Sequence, residues 1–200
     1  MIIDKTIRLL VCDMAGTVIN ENGIVYNSIY KALKTCGMQV EREEINNWHG
    51  IYKKQVIEHF VKREKIQDEN VDSKIELVNT ELNKILNQEY FKKDSKITLI
   101  APNLLDFFSY LRSNDIKIAL NTGYPQDLQE SLINKFNLKD HVDLYISSEQ
   151  VKNGRPYPYM IHHIMEELNI ESVREIIKVG DSIMDIKEGI NAGCKQSVGV

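Results

Sequence analysis

An alternation constrains this chain more than any other feature. Short β-branched or aliphatic runs, each closed by a small or polar residue, are separated by stretches with helical spacing of apolar positions. The runs are Ile7 to Cys12, Ile116 to Leu120, Ile176 to Val179 and Ser197 to Val200, with a weaker fifth at Leu144 to Ile146. Runs this short and this apolar suit strands buried on both faces. The helical stretches are Leu104 to Leu111, Asp127 to Phe136, Met160 to Leu168 and Met184 to Ile190. Strand and helix in alternation pack as right-handed βαβ units, so the expected fold is α/β, a Rossmann-like parallel sheet covered on both faces.

The alternation fails in one place. From about Asn20 to Lys96 there is no strand pattern, only three helical faces. One is Ile24, Tyr26, Ile29, Leu33 and Cys36, ended by Gly37. Another is Trp48, Ile51, Val56, Ile57 and Phe60, and a third is Ile75, Leu77, Val78, Leu82, Ile85 and Leu86. Such a block, inserted after the first strand, predicts an all-helical cap domain over 20–96 on a core made of 1–19 and 97–200. Val18 to Gly23 is expected to lead out of the core, and the polar Lys92 to Lys96 to lead back.

Composition excludes several classes. With 42% hydrophobic and 27% charged residues, and only 10 Gly and 4 Pro in 200, the chain is neither disordered nor collagen-like. Its net charge of −4 gives no general attraction to nucleic acid or to an anionic membrane, so an anionic substrate has to be held by a local site. No apolar stretch approaches the roughly 18 residues of a membrane helix. Met1 to Lys5 places charge where a secretion signal has its apolar segment. The three cysteines, Cys12, Cys36 and Cys194, are widely spaced and odd in number. They read as buried reduced thiols in a cytoplasmic protein, with neither nucleic acid nor membrane as partner.

In an open parallel sheet, ligands bind beyond the carboxyl ends of the strands, near the point where strand order reverses. Asp13-Met14-Ala15-Gly16-Thr17 follows the first run and sets a carboxylate on a sharp turn, as a nucleophile or a metal ligand. Asn121-Thr122-Gly123-Tyr124 follows the second, with a hydroxyl and backbone amides suited to phosphate oxygens. Gly180-Asp181-Ser182-Ile183-Met184-Asp185 brings two carboxylates, four apart, to a turn that opens a helix, which suits a hard cation such as Mg²⁺. Either acid alone would equally serve as a helix cap. Gly154-Arg155-Pro156-Tyr157-Pro158 adds a fixed cation before another helix.

These four elements, in this order and spacing, resemble the haloacid dehalogenase-like hydrolases over nearly the whole chain, and within them the phosphonatases. Asp13-Met14-Ala15-Gly16-Thr17, Thr122-Gly123-Tyr124 and Gly154-Arg155-Pro156-Tyr157-Pro158-Tyr159-Met160 carry the finer likeness. The resemblance implies that Asp13 attacks phosphorus and also binds Mg²⁺. Ala15 then offers a backbone carbonyl to the metal and Asp181 a carboxylate, with Asp185 bound directly or one layer out. Thr122 hydrogen-bonds the phosphoryl group, and Arg155 balances charge and orients the nucleophile. Gly16, Thr17, Gly123 and Tyr124 fall at substrate-binding positions. Relatives often pair through their caps, so a homodimer through the cap is an expectation by analogy, and relatives continue past Val200 into a further loop and helix.

Ala15 is the informative departure, because phosphatases of the superfamily carry a second Asp there. Without that general acid, cleavage of an ordinary ester loses on the order of 10² to 10⁴ in rate. Phosphonatases activate the leaving group otherwise: a cap lysine condenses with an aldehyde, and the iminium accepts the electrons of the breaking carbon–phosphorus bond. Their Met-Gly-x-x-Lys segment corresponds here to His49-Gly50-Ile51-Tyr52-Lys53, which makes Lys53 the Schiff-base residue and places His49 and Gly50 near the substrate. Lys54 lies about 100° round the helix from Lys53. His49 replaces the Met, and Val56 replaces a His that phosphonatases carry three residues after the lysine.

Three activities fit these residues. The first is cleavage of phosphonoacetaldehyde or a related small phosphonate through an aspartyl-phosphate. The second is hydrolysis of small organic phosphate esters, and the third is phosphate-ligand binding without turnover. His162 and His163 are adjacent and so lack the i, i+4 spacing of a helical metal pair. Trp48 reads as packing within the cap or as part of the substrate wall.

Overall fold

The structure, a computed structural model, describes residues 6–46, 48, 53–64 and 70–200. His49, Gly50 and Ile51, singled out above, lie outside the described residues, as does the Met1 to Lys5 segment. In chain order the elements begin with β1 (Leu9–Asp13), β2 (Ile19–Asn20), α1 (Ile24–Thr35), α2 (Arg42–Asn46), α3 (Lys53–Arg63) and α4 (Val71–Phe91). There follow β3 (Thr98–Leu99), α5 (Leu104–Arg112), β4 (Lys117–Thr122), α6 (Gln126–Lys135), β5 (Leu144–Ser147) and α7 (Tyr159–Glu167). The chain closes with β6 (Ile176–Gly180), α8 (Ile183–Ala192) and β7 (Gln196–Gly199). It divides into two compact units, residues 1–20 with 98–200 and residues 21–97.

The first unit is a five-stranded parallel sheet in the order β5-β4-β1-β6-β7. Central β1 pairs with β4 on one side and β6 on the other, so strand order reverses at β1. Its register sets Asp13 opposite Asn121 and Cys12 opposite Val179. The residues that follow β1, β4 and β6 therefore emerge side by side at one end of the sheet. Leu9 and Val11 are fully buried, as a strand covered on both faces requires. Met160, Ile161 and Ile164 of α7 join them in one core cluster with Ala119 and Ile146. Burial of each large aliphatic side chain is worth about 1.5–3 kcal/mol.

Three local expectations change. Val18 to Gly23 is not simply a linker, because Ile19–Asn20 pairs antiparallel with Thr98–Leu99. Val18 and Ile19 are buried, and the Ile100 N–H donates to the Val18 carbonyl at 2.9 Å. Two-residue strands are too short to show alternation, and so escape a periodicity reading. The last strand runs Gln196–Gly199, one residue earlier than expected, and as an edge strand it has no buried residue. Of the three thiols, Cys12 and Cys194 are buried while Cys36 is half-buried at the end of α1.

The second unit has helices and no strand among its described residues. On α4, Ile75, Val78, Leu82, Ile85, Leu86 and Tyr90 are buried, a stripe at three- and four-residue steps. On α1 the buried set is Val25, Ser28, Ile29, Ala32 and Leu33, and on α3 it is Val56, Ile57, Phe60 and Val61. Lys31 of α1 meets Glu89 of α4 at 2.5 Å. The Trp48 ring lies tilted 4.5 Å from His59 and 6.0 Å from Phe60, within this unit. No helix among the described residues is long and apolar enough to cross a membrane.

Candidate active site

Asp13 ends β1 and is buried. The chain leaves it through a tight turn in which the Gly16 N–H donates to the Ile19 carbonyl at 2.8 Å, and the Val18 and Ile19 N–H groups both donate to Met14. Gly16 sits at φ +82°, and a Cβ there would overlap the Asp181 carboxylate. Only glycine serves both demands, a left-handed backbone and the approach of a neighbouring loop. Ala15 is half-buried in this turn and Thr17 is buried.

Asp181 and Asp185 come from the β6–α8 junction. Ser182 caps α8 by accepting from the Asp185 N–H, and the Asp185 carboxylate accepts from the Ser182 N–H in return. Among the described residues Asp13, Asp181 and Asp185 each offer a carboxylate oxygen within 4.8 Å of the others.

Arg155 joins the two buried acids. One guanidinium nitrogen lies 2.7 Å from Asp13 Oδ1, and the other donates to Asp185 Oδ1. Burial opposes the Arg155 charge, but Asp13 and Asp185 outweigh it and hold the guanidinium more firmly protonated than usual. Gly123 belongs to the same place, since a Cβ there would lie 4.0 Å from Arg155 Nη2. The Thr122 hydroxyl accepts from the Tyr124 N–H at 3.2 Å, so its own hydrogen is directed elsewhere. The Tyr124 side chain is buried, and its carbonyl accepts from the Ser147 hydroxyl. The structure thus brings Asp13, Ala15, Gly16, Gly123, Arg155, Asp181 and Asp185 together. Lys53 is half-buried and opens α3 in the helical unit.

Sequence reading missed a buried group behind these residues. Lys178, Asn121 and Glu188 have no exposed surface, and Lys178 reaches Asp185 Oδ1 at 2.8 Å. The available signal was Lys178 itself, a charge within the apolar run of β6.

Electrostatics identify what the cluster can hold. Burial pushes Asp13 and Glu188 above the usual carboxylate range, Asp181, exposed but partly shielded from water, rises to about 6, and neighbouring carboxylates add to each rise. Burial acts on Asp185 too, but Arg155 and Lys178 overcome it and hold that acid at about 2. Four carboxylates here face two cations, Arg155 and Lys178, an excess of two negative charges. A hard divalent cation fits both that excess and the all-oxygen donor set. Asp185 is the least available donor, because Arg155 and Lys178 occupy its Oδ1 and Ser182 twice occupies its Oδ2.

Comparison with known proteins finds clear likenesses. The family model described as "haloacid dehalogenase-like hydrolase" matches residues 10–199. A phosphonoacetaldehyde hydrolase of Latilactobacillus sakei is 30% identical over 194 residues, which cover 94% of this chain and 73% of that protein. A bifunctional phosphonoacetaldehyde hydrolase/aminoethylphosphonate transaminase of Clostridioides difficile is 29% identical over 198 residues, and the chain spans only 31% of its length. The crystal structure of a phosphonoacetaldehyde hydrolase-like protein from Oleispira antarctica superposes with a TM-score of 0.77 at 24% identity. That match covers 98% of this chain and 72% of the other, and it shows the shared fold.

Proposed function

This chain belongs to the haloacid dehalogenase-like hydrolases, in their phosphonatase-like branch, and on that premise we propose that it hydrolyses the carbon–phosphorus bond of phosphonoacetaldehyde or a closely related phosphonate aldehyde. The observation that carries the reading is Ala15: a phosphoryl-transfer site otherwise furnished with acids and a cation has no side-chain proton donor at that position. A leaving alkoxide would go unprotonated there, whereas an iminium needs no such acid.

In the proposed sequence the Lys53 amine adds to the aldehyde carbon and water leaves, giving an iminium two bonds from phosphorus. Asp13 then attacks phosphorus. The carbon–phosphorus bond breaks, its electron pair moves into the enamine, and the phosphoryl group passes to the Asp13 carboxylate. Protonation of the enamine carbon and addition of water release acetaldehyde and restore Lys53. A second water cleaves the aspartyl-phosphate, so the overall change consumes one water per substrate. Arg155, 2.7 Å from Asp13, holds the attacking carboxylate and offsets the charge of the phosphoryl oxygens, and the Thr122 hydroxyl donates to one of them. Mg²⁺, held by Asp13, Asp181 and the Ala15 carbonyl, would neutralise phosphoryl charge so that an anionic nucleophile can approach.

The test is turnover with Mg²⁺ present. The protein is expected to release phosphate and acetaldehyde in equal amounts, and Lys53→Arg to lose that release by about 10²-fold or more. Full phosphonate activity in Lys53→Arg, or phosphate release from simple esters alone, would overturn the reading.

A further inference from the structure

Lys178 lies in the middle of β6 and is wholly buried. Taking an ammonium out of water costs several kcal/mol, and an apolar side chain of similar length would fill the space more cheaply. Stability therefore gives a poor reason for the lysine, and its contacts give a better one.

Its Nζ has three close acceptors: Asp185 Oδ1 at 2.8 Å, Asn121 Oδ1 at 2.9 Å and the Val179 carbonyl at 3.1 Å. Three acceptors use all three N–H bonds of an ammonium and leave it one orientation. Asn121 is fixed in turn, since its amide donates to both Glu188 oxygens, at 3.0 and 2.9 Å. The Glu188 carboxylate also lies 3.6 Å from Nζ. Helix α8 packs closely against the lysine stem at Gly189, where a Cβ would stand 2.9 Å from Lys178 Cβ. From this anchored group the contacts run in one line. Lys178 holds Asp185 Oδ1, the same oxygen accepts from Arg155, and Arg155 holds Asp13.

We infer that Lys178, braced by Asn121 and Glu188, is a positioning residue that keeps the Asp185 carboxylate turned toward Arg155, and so keeps Arg155 on the nucleophile Asp13. It acts through Asp185 and touches no reacting atom. It also keeps Asp185 Oδ1 occupied, which reserves the cation site for Asp13 and Asp181. The inference rests on the phosphoryl-transfer reading of this site.

The test compares the parent with the charge-balanced double variant Lys178→Met/Glu188→Gln, because Lys178→Met alone would strand buried carboxylates. Turnover is measured together with Mg²⁺ affinity by calorimetry, which needs no substrate. Loss of the brace is expected to lower kcat about 10²-fold through misplacement of Arg155 and Asp13, with KM within about threefold. Mg²⁺ binding is expected to tighten about threefold or more, because Asp185 Oδ1 loses its Lys178 donor and, with Arg155 no longer held on it, can turn to the cation. A kcat within about threefold of the parent overturns the inference. So does a parallel loss of kcat and Mg²⁺ affinity, and so does a double variant that fails to fold, which would make the group purely structural. Should the parent release no phosphate from any substrate, the functional reading fails by itself. Mg²⁺ affinity then decides the role of Lys178: tighter binding in the double variant supports it, and unchanged or weaker binding overturns it.

Discussion

Asp181 shows what crowding carboxylates at one point does. Burial, and then the charges of Asp13 and Asp185, raise it to about 6. A carboxyl that binds its proton more tightly folded than unfolded makes folding less favourable as pH climbs between the two values. The penalty from Asp181 therefore grows from about pH 4 to about pH 6 and is complete above that. Asp185 has the opposite sign: held at about 2, it contributes stability above about pH 4 that is lost as pH falls toward 2. The two windows do not overlap. In chelator, Asp181→Asn is expected to gain stability relative to the parent as pH rises from about 4 to about 6, measured by urea denaturation at each pH. A flat or falling difference would contradict the assignment. Asp13 and the pair Asp181 and Asp185 were legible in the sequence because they follow strand patterns, and Arg155 because it stands beside prolines just before a helical one. Lys178 was not, because its partners Asn121 and Glu188 are 57 residues before it and on the next helix, and only folding brings them together.

Among the elements, the β6–α8 junction does most to build the site. Ser182 caps α8 and donates to Asp185, so one hydroxyl serves helix start and acid together. Ser182→Ala is expected to cost about 0.5–2 kcal/mol in urea denaturation, the usual loss for an N-cap. Ser182→Thr, which keeps the hydroxyl, is expected to recover most of it, and an unaffected Ser182→Ala would show that the cap carries no load. Parallel strands and the helices between them were readable because each carries a full period of apolar residues. The β2–β3 pair and the five-residue α2 were not, being shorter than the pattern that would reveal them. What gave the pair away only afterwards was Val18 and Ile19, two buried apolar residues in a stretch otherwise polar enough to pass as a linker.

For the whole molecule, the net charge of −4 conceals a strongly unequal interior. Around Asp13 four acids, three of them buried, face two cations, and the excess suits a divalent ion rather than a general attraction to anions. The two units then divide the proposed chemistry. On the proposed reading Asp13, Arg155 and Thr122 would hold the phosphoryl group, and Lys53 would supply the amine that makes the carbon a leaving group. Lys53 is the residue on which that division stands, so trapping on Lys53 tests it most directly. The protein is incubated with Mg²⁺ and phosphonoacetaldehyde, reduced with borohydride, and its peptides are examined by mass spectrometry. The account predicts irreversible loss of activity with an N-ethyl group on Lys53 and none on Lys54. Turnover that survives reduction, with Lys53 unmodified, would contradict it.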